Sequence, residues 1–242
     1  MNYPILIFFG LAPSIIWLMF FLREDKLPES NRMILKIFFF GMLATIPVAL
    51  IELGFSQQIA NWNLPPLLLQ IIYAFLGIAL VEELAKYLIV KKKVLSNPEF
   101  DEPIDVVLYM IVSALGFAAL ENIFLFLPLN NFQPFFFETV ISTFILRLVS
   151  ATFLHALVSA LIGYHMALAF CQPKKRFKFL LRGIVLAVGL HGLYDFSIMS
   201  IEKGYEFIIP AIIIISLIVF FVFFGFKRIN ALKSVCHPKK IK

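Results

Sequence analysis

Three charged residues within five positions, Glu82, Glu83 and Lys86, interrupt a run from Pro66 to Val90 that is otherwise apolar enough to cross a bilayer. A carboxylate in hydrocarbon is costly unless it is paired or faces a wet cavity, so acids at this depth mark a functional site by default. Lys86 follows Glu82 by four residues and Glu83 by three, one turn away on the same face, where its ammonium offsets part of the pair. One base for two acids leaves a negative surplus, which favours chemistry over an ion pair kept for packing alone.

Three further apolar runs carry buried polar groups: Glu121 with Asn122, then His155, then His191 with Asp195. A single buried histidine is more often a hydrogen-bonded packing residue than a ligand, but two of them in company with three glutamates shift the balance toward chemistry. Asp195 lies one turn past His191, where it can accept an imidazole N–H and fix the tautomer. His165, near the end of its run, reads as satisfied locally; Arg147 reads as an interfacial anchor or as a partner of Glu138 or Glu121. Glutamates and histidines are the parts of water activation, in which a carboxylate takes the proton and a second group stabilises the oxyanion and protonates the leaving amine. The expected reaction is peptide-bond hydrolysis inside the membrane. No serine sits in a nucleophile elbow, no cysteine lies deep in a span and no paired-aspartate motif is present. Two histidines and one glutamate with a second glutamate as base would also complete a hydrolytic zinc site, with Glu121, His155 and His191 as candidate ligands. The chain has no His-Glu-x-x-His helix, so no cofactor is assigned with certainty and a divalent metal such as zinc stays an open alternative.

The elements that must position these groups follow from composition. With 61% hydrophobic residues and 29 Phe in 242 positions, and a mean hydropathy of +0.94, the chain lies outside the range of soluble domains. Apolar runs of about 20 residues predict an all-α, polytopic transmembrane helical bundle. About seven spans are expected, near 2–22, 33–54, 66–90, 104–127, 135–170, 179–200 and 207–226, the fifth with an interfacial or tilted start. Glu102 and Pro103 are expected to cap and open the fourth. Loops with and without Lys and Arg alternate, which predicts an outside N-terminus and a cytoplasmic C-terminus. The net charge of +6 is therefore read as topology, with the lipid bilayer and not nucleic acid as partner. Cys171 and Cys236 are expected to be free thiols, and no cleavable signal peptide is expected. Small residues at Ala156, Ser159, Ala160 and Gly163 predict close packing of the fifth helix. One domain, 1–242, is expected, with the motif-bearing core at about 66–200. The rise per residue leaves Glu121 and His155 a turn or two outward of Glu82 and His191, a gap that helix tilt can close.

At these residues the chain resembles the PrsW intramembrane proteases. Glu82-Glu83-x-x-Lys86, Phe117-x-x-x-Glu121-Asn122, His155-Ala156 continuing to Gly163-Tyr164, and His191-Gly192-Leu193-Tyr194-Asp195 are similar to that family's four motifs, in order on four helices. Pro103-Ile104-Asp105 with Tyr109 also fits, and no motif polar position departs. The resemblance covers about Glu82 to Asp195. It is shared more distantly with the CAAX prenyl endopeptidases and with the multipass scaffold subunit of γ-secretase. It implies a multi-pass endopeptidase of the bacterial plasma membrane that makes the first cut in a membrane-anchored regulator of the anti-sigma-factor type. Carried over by motif, Glu82 and Glu83 are the catalytic acids, Glu121 and His155 assist or bind water, and His191 with Asp195 completes the site; Lys86 and Asn122 support it. The alternatives are a non-catalytic membrane scaffold or chaperone and a proton-coupled transporter. Substrate identity and oligomeric state are left open.

Overall fold

In hydrocarbon each backbone N–H and C=O must be satisfied within its own segment, and every long apolar run among the described residues is helical. The chain is seen in a computed structural model that describes residues 3–23, 29–95, 97, 100, 102–131, 136–200, 213 and 216. Helix α1 covers Tyr3–Arg23 and α2 covers Asn31–Ala60. Helix α3, Pro66–Ile72, continues through a π-helical stretch, Tyr73–Ala79, into α4, Leu80–Lys93. Then come α5 (Asp105–Phe126), α6 (Phe136–Val149), α7 (Ala151–Cys171) and α8 (Arg176–Ser200). Six helical segments among the described residues are long and apolar enough to cross a membrane. The expected seventh span, 207–226, lies outside the described residues.

Helix ends follow local chemistry. Ser30 caps α2, its hydroxyl accepting the Met33 N–H at 3.2 Å. The expected cap at Glu102 is not the one formed: α5 begins at Asp105, whose carboxylate accepts the Glu102 N–H at 2.7 Å. A short acid three residues on reaches back to that N–H, so Glu102 supplies the donor and not the cap. The cysteine reading is also corrected, since Cys171 at the end of α7 is disulfide-bonded. An argument from redox compartment carries no information on which thiols the fold brings together.

The long run 136–171 is divided at Ser150, where φ is −119° and ψ −88°. Helix α7 alone, at 21 residues, is about 31 Å long and crosses the hydrocarbon core by itself. Helix α6 is left as an added half-span packed on α7 and α1.

The centre of the bundle is α5. It is apolar on all sides and is buried without interruption from Asp105 to Ala119, as a helix with no polar face must be. Helices α1, α2 and α7 surround it, and α4 closes against it and α2. Close approach to α2 depends on Gly116, where a Cβ would stand 2.0 Å from the Phe38 carbonyl oxygen. The Thr45 hydroxyl, donating at 3.1 Å to the Phe117 carbonyl, ties the same crossing. The small-residue face expected on α7 is buried at Ala156, Ser159, Ala160 and Gly163. Leu35, Leu50 and Phe8 each stay about two-thirds exposed, an outer surface that suits lipid tails and not water.

Candidate active site

The four polar stretches of the sequence converge. Glu82 and Glu83, adjacent on α4, both reach back one turn to Lys86, whose Nζ donates to Glu82 Oε2 at 2.9 Å and to Glu83 Oε1 at 2.7 Å. The same ammonium stands 2.9 Å from His155 Nδ1 on α7. An ammonium has three hydrogens and no lone pair, so Lys86 is fully used and His155 Nδ1 is an acceptor. His155 therefore carries its proton on Nε2 and donates it to Glu121 Oε2, 2.8 Å away on α5. Lys86 is fully buried and lies 4.5 Å from the Phe117 ring centroid, a face that favours the cation.

Glu121 is held from behind. Its Oε1 pairs with Arg147 Nη2 at 2.9 Å, and Arg147 Nε donates to Asn122 Oδ1. Asn122 in turn donates to Thr152 Oγ1 at 3.0 Å. Arg147 is thus a partner of Glu121, and the break at Ser150 is what lets α6 deliver it. On the other side His191 Nδ1 lies 3.0 Å from Glu83 Oε1, while its Nε2 lies 3.5 Å from Asp195 Oδ2 and 3.9 Å from Glu82 Oε2. The two imidazoles meet edge to face, with centroids 5.0 Å apart.

The neighbouring acids have different surroundings. Glu83 is wholly enclosed, with Oε1 on Lys86 and His191 and Oε2 accepting from Ser159 Oγ at 2.8 Å. Glu82 instead lines a cavity of about 340 Å³ with Glu121, His155, His191 and Asp195. Val48, Ile78, Phe124, Leu154 and Ile198 form its apolar walls. The volume is far above what one water needs. Glu82 is thus the acid of the pair that faces the space where water and substrate can enter.

Two residues reach this site without having been expected there. Ser159 was read only as a small packing residue, and Glu52 on α2 also lines the cavity. A lone carboxylate close to the end of the second apolar run was the available signal for Glu52. His165 stays outside the cluster, on the Leu161 carbonyl at 2.9 Å.

Residues 29–226 match the profile described as PrsW family intramembrane metalloprotease. The chain belongs to the PrsW family of intramembrane proteases. It is similar to Protease PrsW of Geobacillus kaustophilus, 34% identical over 200 residues that cover 81% of each chain. Protease PrsW of Bacillus subtilis is 28% identical over 228 residues, 93% of this chain and 94% of that one. Protease PrsW of Clostridioides difficile is 24% identical over 213 residues, 86% of this chain and 84% of that one. No solved structure matches the chain. PrsW membership makes the protein a multi-pass membrane protease, in keeping with a bacterial cell membrane, and sets aside the scaffold and transporter readings.

The PrsW family description names a metal, and the donor set fits one. One atom each from Glu82, Glu83, His155 and His191 lie within 4.8 Å of one another, two imidazoles and two carboxylates of the kind that hold zinc. His155 turns Nδ1 toward this group and is backed on Nε2 by Glu121, the arrangement by which an outer carboxylate orients a ligating histidine. Glu121 thus stands outside the four donors, behind His155, and the adjacent glutamates stand among them.

Proposed function

We infer that this PrsW-family protease hydrolyses a peptide bond of a membrane-anchored regulatory protein, of the anti-sigma-factor class, making its first cut. The observation that carries the mechanism is the division of labour between the adjacent acids. Glu82 borders the cavity and is the base for water; Glu83, with every oxygen engaged, holds Lys86, His191 and Ser159 in place. His191 Nε2, between Asp195 and Glu82, is the group nearest the base from which a proton can pass to a leaving amine. Glu121 and Arg147 orient His155. Were a divalent metal held by Glu82, Glu83, His155 and His191, it would polarise the scissile carbonyl and acidify water in place of the proton transfers assigned to Glu82 and His191. The anti-sigma-factor class and the first-cut role rest on the motif resemblance. A single domain with its core at about 66–200, seven spans, an outside N-terminus and a cytoplasmic C-terminus complete the reading, supported by the alternation of basic loops.

The test uses the purified full-length protein in liposomes with a panel of single-span anti-sigma factors. Glu82→Gln is expected to lower kcat about 10²- to 10⁴-fold, the range for a lost general base, with the thermal unfolding transition retained. Undiminished cleavage by Glu82→Gln overturns the assignment of the base.

A further inference from the structure

Among the described residues, Glu52 is the one acid on the cavity wall that the hydrolytic scheme leaves idle. It comes from α2, and its Oε1 is shut off from solvent with no hydrogen-bond partner. Asp195 Oδ2, on the facing helix α8, is likewise shut off from solvent but has His191 Nε2 beside it at 3.5 Å. Among the described residues, neither Lys86 nor Arg147 is free to answer Glu52. Lys86 has its three hydrogens committed to Glu82, Glu83 and His155. Arg147, the one Lys or Arg on the cavity wall among the described residues, is held by Glu121 and Asn122. Glu52 therefore shares a largely apolar chamber with Glu82, Glu121 and Asp195, each beside a basic group (Lys86, Arg147 and His191), and among the described residues is left without one of its own. In such surroundings an unanswered carboxylate attracts a positive group far more strongly than it would in water.

The depth of Glu52 follows from two contacts of α2 with the helix beside it. Lys93 Nζ lies over the Phe40 ring, and the Phe55 ring lies where a Gly77 side chain would start. The two helices run antiparallel, and equal rise from each contact sets Glu52 level with Leu80. That is about 3 Å from Glu82 along the helix axis, on the side of the C-terminal end of α2. An extended substrate advances about 3.3 Å per residue. We propose that Glu52 is a specificity residue, receiving a lysine or arginine side chain that the substrate carries one or two residues from the bond that is cut. The proposal deepens the hydrolytic reading and rests on the cavity being the place of cleavage.

Synthetic single-span peptides test it, each a Leu/Ala span with one Lys, Gln or Glu stepped through the positions flanking the cut. They are presented to the purified full-length protein in detergent micelles. At one position within about two residues of the cut, Lys is expected to raise kcat/KM over Gln about tenfold. Glu52→Gln brings that ratio to about one, and Glu52→Lys inverts it in favour of Glu. The same peptides are titrated by fluorescence anisotropy onto Glu82→Gln, with and without Glu52→Gln, so that recognition is read apart from turnover. Their affinities are expected to follow the same order. A Lys preference that survives Glu52→Gln, or one common slowing of every peptide by that substitution, overturns the proposal. If wild type cuts none of the panel while Lys peptides bind in a Glu52-dependent way, the hydrolytic reading fails and the recognition role stands. If neither cutting nor Lys-selective binding is seen, both fall.

Discussion

Glu82 and Glu83 share one turn of helix, and what separates them is which wall each faces. Removing Glu83 leaves Lys86, His191 and Ser159 without their common acceptor in a fully buried place, and breaking such a pair costs about 3–5 kcal/mol. Glu83→Ala is therefore expected to lower both the melting temperature in detergent and the activity, whereas Glu82→Gln, which keeps an acceptor for Lys86, lowers activity with a much smaller thermal shift. Equal melting of the two variants would contradict this division. Lys86 has a second consequence, because its ammonium contacts three of the four donors that would hold a divalent cation. Lys86→Met removes the competing charge and is expected to tighten zinc binding by about tenfold or more, measured by calorimetric titration. Unchanged affinity would show that these donors are not the cation site.

At the scale of elements, α6 acts through a single residue. Arg147 ties this half-span to Glu121 and Asn122 on α5, and through Glu121 it sets the tautomer of His155. Arg147→Met is expected to reduce kcat about tenfold with little change in KM. Arg147→Lys should restore only part of it, since a lysine ammonium lacks the planar fork whose Nη2 and Nε reach Glu121 and Asn122 from two separate positions. A pure KM effect would point to substrate contact instead. The division at Ser150 was only half legible in the sequence. The excess length of 136–171 predicts an irregular start, but the apolar pattern runs through Ser150 without a break. Thr152 on the far side of that turn, two residues on, holds Asn122, so the position of the break is set by contacts with α5. The four motif helices were legible, because polar residues are costly in an apolar span and stand out against it.

For the molecule as a whole, the cavity is built inside the apolar slab, with Val48, Phe124 and Ile198 on its walls. A soluble peptide carrying a cleavable sequence without its anchor is expected to be cut with kcat/KM about a hundredfold lower than the anchored form, since it forgoes apolar burial. Comparable rates would mean the cavity is reached directly from water. Composition and the spacing of charged residues determined by themselves that this is a helical membrane protein, and they picked out Glu82, Glu83, Glu121, His155 and His191 in order. Both conclusions follow from one cost, that of placing charge in hydrocarbon, which is a property of each residue alone. Only the tertiary structure decided that Glu82 and not Glu83 faces the cavity, that His155 gives its proton to Glu121, and that Ser159 and Glu52 join the site. Sequence periodicity sets the face of a residue relative to its own helix axis. The rotation of each axis against its neighbours depends on contacts such as Phe38 against Gly116 and Glu83 against His191, between residues far apart in the chain.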